Sequence, residues 1–256
     1  MRLGLEGRRG LVTGGSKGLG EAIAGELAAE GARVAICARD EQEVLATAEA
    51  IGAAYAQAAD VTDPEQVRDV VARSAEALGG IDFLVNNAGG AHPGTFATLT
   101  DDDWQGDLDV KLFSLIRCSR AVLPYMREAG GGRIVNIGAV YSRYPDPAFF
   151  ATSVNRAAGN SFTKTLALEV AKDNILVNGV NIGFVTTPQW DNIHRRRAPE
   201  LSRDEFLDRL ARQEVPLCRF GTPDEVSGVV VFLLGDRASY ITGASIDVAG
   251  GMGKYV

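Results

Sequence analysis

Cysteine is scarce in this 256-residue chain. Cys37, Cys118 and Cys218 lie far apart, and an odd trio with no CxxC or Cys/His spacing supports neither a disulfide framework nor a metal site. The three read as small buried hydrophobes in a reducing compartment. No apolar run approaches the length needed to span a bilayer. The first strand is read from near Arg8, which leaves no room for a signal peptide, so a cytoplasmic location is expected. Blocks of like charge are missing as well. Acidic and basic residues are mixed along a chain of formal charge −7, which argues against a nucleic-acid footprint or a polybasic membrane patch. Small molecules or like subunits are the expected partners. There is no proline-rich, serine-rich or charged linker, no repeat and no low-complexity segment, so one domain is expected over 1–256.

What the chain does have is an alternation of short Val/Ile-rich runs with longer amphipathic stretches, the pattern of a parallel sheet covered by helices on both faces. Strands are predicted near 8–13, 33–37, 53–58, 82–86, 132–137, 175–181 and 244–248. Helices are predicted near 18–30, 40–51, 64–78, 101–128, 148–171, 191–213 and 223–234. Thr62-Asp63-Pro64, Thr100-x-x-Asp103 and Thr222-Pro223 are helix start signals. The expected fold class is α/β, a three-layer doubly wound Rossmann fold with a seven-stranded parallel sheet.

The first strand runs into Thr13-Gly14-Gly15-Ser16-Lys17-Gly18-Leu19-Gly20 and then into a helix. Glycines there permit a tight turn and let the backbone approach a pyrophosphate, whose charge the free N–H groups of the helix N-terminus would meet. The second strand ends in Ala38-Arg39, with no acid at Ala38 to meet a ribose 2′-hydroxyl. Arg39 and Lys17 are positioned to hold a 2′-phosphate instead, which favours NADP(H) over NAD(H), although Asp40 weakens the local positive field.

TGGSKGLG, Asp60-Val61 and Asn86-Asn87-Ala88-Gly89, followed by Gly132 to Ile137, Asn181 to Thr187 and Ile241-Thr242-Gly243 to Gly251, together resemble the short-chain dehydrogenase/reductase family over nearly the whole chain. The resemblance implies that Asp60 and Val61 contact adenine. It further implies that Asn87, Ala88 and Gly89 line the cofactor cleft and that Gly183, Val185 and Thr187 hold the nicotinamide carboxamide. Ile182 stands where the family usually has proline. A homo-oligomer, dimer or tetramer, built on the long helices near 101–128 and 148–171 is also implied, with a substrate lid near 190–219.

At the catalytic positions the chain departs from the family. An ungapped alignment puts the usual tyrosine on Thr152 and the usual lysine on Arg156, four residues apart on one helix face. The usual serine falls on Ala139 and the usual asparagine on Lys111. None of the six tyrosines has a lysine or arginine four residues on, so no displaced copy of the pair exists.

Thr152 can still donate a neutral hydrogen bond to a developing alkoxide, and Arg156 can anchor the ribose but not exchange protons. Lys111, beside Arg156 in a cleft, would have a lowered pKa and serve as proton donor, or else would snorkel to solvent. Tyr141 and Tyr144 follow the fifth strand, where either phenol is a candidate replacement. His92 borders the cleft and His194 falls in the lid, both reading as loop histidines. Arg195-Arg196-Arg197 reads as a solvated helix face, or as an attractor for an anionic substrate.

Three readings stay open on this basis. The first is an atypical oxidoreductase acting on a ketone or secondary alcohol. The second is a non-redox lyase, cyclase or isomerase on the same scaffold. The third is a catalytically silent NADP(H)-binding sensor or partner.

Overall fold

A computed structural model describes residues 3–253. Seven strands form one parallel sheet: β1 (Arg9–Thr13), β2 (Arg33–Ala38), β3 (Tyr55–Ala58), β4 (Phe83–Asn86), β5 (Gly132–Ala139), β6 (Ile175–Ile182) and β7 (Ser245–Val248). Their spatial order is β3-β2-β1-β4-β5-β6-β7, with parallel pairing throughout. Winding therefore reverses between β1 and β4. In open α/β sheets the crevice beyond the strand C-termini at such a reversal is where ligands bind.

Successive residues of the strands feed opposite faces of the sheet, as the period of two requires. Val12, Ile36, Val85 and Val135 enter one core with α1 (Gly18–Ala29) and α9 (Pro223–Leu234). Leu11, Ala35, Leu84 and Ile134 enter the other, beneath α3 (Pro64–Leu78), α5 (Ser114–Glu128) and α6 (Phe150–Val170). Burial on both faces explains why the strands read as continuous apolar runs. Helix α2 (Glu41–Ile51) flanks β2 and β3.

Helix entry follows the start signals. Asp63 caps α3 with Pro64 in its first turn, and Thr100 and Asp103 form a reciprocal capping box on α4 (Asp101–Leu108).

Two of the expected helices are built differently. The stretch 101–128 runs as α4, a π-helical segment over Asp109–Phe113, and then α5; within the segment Ser114 N donates to Asp109 O, a five-residue step. Such local widenings of a helix occur often at functional sites. The single helix expected over 191–213 is two, α7 (Gln189–Arg197) and α8 (Arg203–Glu214). Pro199 interrupts the pattern, and the Ser202/Glu205 capping box restarts it. Among the described residues no helix is long and apolar enough to cross a membrane, and no group of three or more His, Cys, Asp or Glu could hold a metal.

Candidate active site

A cleft of about 700 Å³ opens across the C-terminal ends of the strands, within the range of small-molecule sites, roughly 300–1,000 Å³. One end is the glycine-rich turn. Gly20 packs so closely on it that a Cβ there would sit 2.0 Å from Gly14 O, and Gly18 opens α1 at φ +57°, a conformation side chains rarely adopt. Asn87 braces the turn from β4, its Nδ2 donating to the carbonyls of Thr13 and Gly14 at 3.0 Å each. Thr13 Oγ1 in return accepts the N–H groups of Asn87 (3.0 Å) and Ala88 (3.1 Å). Two strands distant in sequence are thereby clamped where a phosphate-binding turn must hold its shape.

Gly14, Ser16, Lys17, Gly18, Leu19, Gly20, Arg39, Asp60, Val61, Asn87, Ala88, Gly89, Arg156, Gly183 and Thr187 all border this cleft. Asp60 Oδ1 accepts from Thr62 N (2.9 Å) and Thr62 Oγ1 (2.8 Å), which fixes the carboxylate at the wall.

Val185 does not border the cleft. Its side chain is buried in the core between sheet and α9, and its backbone bridges to Gly221, so any part it takes in binding falls to main-chain atoms.

Around Arg39 the charges are partitioned. Asp40 accepts from Glu43 N at 2.9 Å and serves as the cap of α2. Lys17 Nζ pairs with Glu43 at 2.9 Å, and Ser16 Oγ donates to the same carboxylate at 2.7 Å; these two donors hold Glu43 below the usual carboxylate range. Arg39 is exposed at the mouth of the cleft.

The opposite end is dominated by buried charge. Lys111, from the π-helical segment, and Asp107, from α4, are each only 1% exposed, and Lys111 Nζ donates to Asp107 Oδ1. A second Nζ–H reaches Thr152 Oγ1 at 2.7 Å. Asn155 Nδ2 donates to Asp107 Oδ2 at 2.9 Å, so the carboxylate is held from two helices. Arg156 lies beside them, buried, with Nη1 donating to Ile137 O at 2.6 Å.

Burial first, and repulsion from Arg156 second, push the Lys111 ammonium down to about 8 against the opposing pull of Asp107. Burial also lowers Arg156, to about 10, which leaves it charged at neutral pH. A lysine whose pKa lies near the working pH suits proton donation. The snorkelling alternative does not survive, because the side chain is directed inward to Asp107 and Thr152.

Ala139 lines the cleft without a hydroxyl. Of the two tyrosines after β5, Tyr141 borders the cleft, stacked on Phe149 with ring centroids 5.1 Å apart, and burial raises its pKa. Tyr144, two residues past the short 3-10 turn Val140–Ser142, is 37% exposed and does not border the cleft. It is therefore not brought to the reacting end. His194 makes a 2.8 Å hydrogen bond to Leu201 O within the α7–α8 pair, and Arg195, Arg196 and Arg197 are exposed. Trp190 and Ile193 of α7 also line the cleft.

Sequence reasoning missed Asp107. The available signal was its four-residue spacing to Lys111, which puts carboxylate and ammonium on one helix face.

A nicotinamide dinucleotide fits the residues present. The N-terminus of α1 would meet phosphate, and Thr187 Oγ1, buried and without a hydrogen-bond partner among the described residues, lies on the same cleft beside Gly18, where it would be open to the dinucleotide. Fold and cleft together define a Rossmann-type protein with its binding crevice at the strand reversal.

The family model described as enoyl-(acyl carrier protein) reductase matches residues 14–253. The chain belongs to the short-chain dehydrogenase/reductase family. It is 35% identical over 252 residues to the 3-oxoacyl-(acyl-carrier-protein) reductase FabG of Thermotoga maritima, covering 97% of this chain and 98% of that one. The crystal structure of L-sorbose reductase from Gluconobacter frateurii, complexed with NADPH and L-sorbose, superposes with a TM-score of 0.96 at 35% identity and covers 100% of both chains. An NADPH-bound short-chain oxidoreductase from Pseudomonas aeruginosa, described as containing an atypical catalytic center, gives 0.90 at 35% identity over 97% of this chain and 98% of that one.

Proposed function

We propose that this chain is an NADP(H)-dependent reductase of a small ketone, reversible toward the secondary alcohol, in which Lys111 replaces the usual tyrosine as proton donor. The carrying observation is the buried Lys111 ammonium in contact with Thr152 Oγ1 on the cleft wall. When bound, the dinucleotide supplies hydride. Thr152 Oγ1 accepts a hydrogen from Nζ and directs its own hydroxyl hydrogen at the substrate oxygen. As negative charge develops on that oxygen, the Thr152 proton passes to it and a Lys111 proton replaces it on Oγ1. Arg156, permanently charged, holds the ribose side of the cleft and adds positive potential.

NADP(H) is favoured over NAD(H) because Asp40 is committed to capping α2, which leaves Arg39 for a 2′-phosphate; the NADPH named with the two structural neighbours agrees. The single domain 1–256, the lid role of 190–219, the cytoplasmic location and a homo-oligomer built on the long helices belong to the same reading. A silent sensor would have no need of a buried proton donor; a non-redox lyase, cyclase or isomerase would use one, and consumption of NADPH separates it from the reductase.

The test is NADPH oxidation against a panel of ketones. At saturating substrate the rate should be flat at low pH and fall about tenfold per pH unit above about 8, because the donor must be protonated. Lys111→Met should lower kcat by about 10²- to 10⁴-fold with NADPH affinity within twofold. Tight NADPH binding without turnover of any ketone would sink the proposal.

A further inference from the structure

We infer that Asp107 and His92 form a proton path from solvent to Lys111, by which the donor is recharged after each turnover. The inference rests on the reductase reading for its chemistry but on separate geometry for its route.

Reduction of a carbonyl forms a C–H bond from hydride and an O–H bond from a protein proton. The Nζ–H bond of Lys111 breaks, a neutral amine remains, and one proton must be drawn from water per turnover. Lys111 lines the cleft but is only 1% exposed, so little of its surface meets bulk water.

His92, on the loop after β4, provides the outlet. Its side chain is 37% exposed and borders the cleft, with Nδ1 3.7 Å from Asp107 Oδ1 and Nε2 3.4 Å from Asp103 Oδ1. Asp107 Oδ1 is also the oxygen that accepts from Lys111 Nζ. One carboxylate oxygen therefore faces both the amine to be recharged and the imidazole in contact with water.

The 3.7 Å gap is longer than a direct hydrogen bond, and a small ring movement or one bridging water closes it. Catalytic contacts are commonly looser before substrate binds. In recharging, His92 Nδ1 gives its proton to the Asp107 carboxylate, the carboxylic acid so formed gives that proton to the neutral Nζ amine and returns to carboxylate, and His92 takes its replacement from water. Imidazole can accept a proton at one ring nitrogen and give one from the other, which suits it to this position.

The charged and titratable groups around Lys111 are Asp107 from α4, Arg156 from α6 and His92 from the loop, with Asp103 behind His92. Arg156 cannot carry protons. Asp107 and His92 act through Lys111 and are positioning residues, with no contact to the reacting atoms required of them.

Two measurements test the path. In cofactor-free protein the ring resonances of His92, distinguished from His194 by His194→Gln, should show a second inflection near pH 8 as Lys111 titrates. The inflection should vanish in both Lys111→Met and Asp107→Asn.

In turnover, His92→Gln should leave single-turnover hydride transfer within twofold, since Lys111 starts charged. It should lower kcat about tenfold. Added imidazole should restore it in proportion to concentration, a rescue that a purely structural role would not give. Absence of the second inflection, or an unchanged kcat that ignores imidazole, would overturn the path. Failure of the wild type to reduce any ketone would remove the reductase reading alone, because the titration in cofactor-free protein still decides whether His92 senses Lys111.

Discussion

The two ends of the cleft are built on opposite principles. At the glycine-rich end most polar groups are satisfied by local or backbone partners, with Asn87 on the turn carbonyls, Asp60 on Thr62 and Asp40 on the first turn of α2, while Glu43 pairs with the side chains of Ser16 and Lys17 near the surface. Little charge is buried there. At the reacting end Asp107, Lys111 and Arg156 are all buried and depend on one another across three helical segments. Away from the glycines, where a Cβ has no room, the first arrangement should tolerate trimming of a single side chain, because no buried charge is left without its partner. The second is intolerant, since removal of one member leaves an uncompensated charge in a low-dielectric interior.

That contrast is open to direct attack. Asp107→Ala strips the only carboxylate that pairs with Lys111 among the described residues and should destabilise the fold by about 3–5 kcal/mol in urea unfolding. A loss below 1 kcal/mol would mean that water already solvates the pair. Gly18→Asp sets a carboxylate at the N-terminus of α1, where a phosphate should dock, and imposes a side chain at φ +57°. NADPH affinity, read by fluorescence titration, should drop about 10- to 100-fold, or ~1.4–2.7 kcal/mol.

Arg39→Ala removes an exposed charge, and the effect is correspondingly modest. The preference for NADPH over NADH should shrink by about fivefold, near 1 kcal/mol, with NADH affinity unchanged. Ser202→Ala removes the cap of α8, away from both ends, and should cost about 0.5–1 kcal/mol of stability, read as a lower thermal midpoint. An effect of Ser202→Ala on KM larger than its effect on stability would tie α8 to substrate entry.

The same contrast governs what could be read in advance. The alternation of strands and helices, the glycine turn and the Asp63 and Thr100 caps are encoded over a few neighbouring residues, and each appears where its residues predict it. The break in the 191–213 helix was also local. Pro199 and the Ser202-x-x-Glu205 pattern mark it, but the amphipathic period runs through and masks them. Lys111 was legible as a candidate because of its place in the long helix, whereas its fate, buried or snorkelling, was not. Tyr144 failed for a related reason: three residues of 3-10 turn decide which of two nearby phenols faces the cleft.

Sequence alone thus determined the layered α/β architecture and the glycine-rich turn, and it marked the positions onto which the family resemblance lays the usual catalytic residues. Only the tertiary structure decided how the residues at those positions are buried and paired. His92, Asp107, Lys111, Thr152 and Arg156 come from a loop, two successive helical segments and a third helix, with Lys111 and Thr152 41 positions apart. The physical reason is that a pKa depends on burial and on charges a few ångströms away, and those neighbours are fixed by packing across the chain rather than by spacing along it.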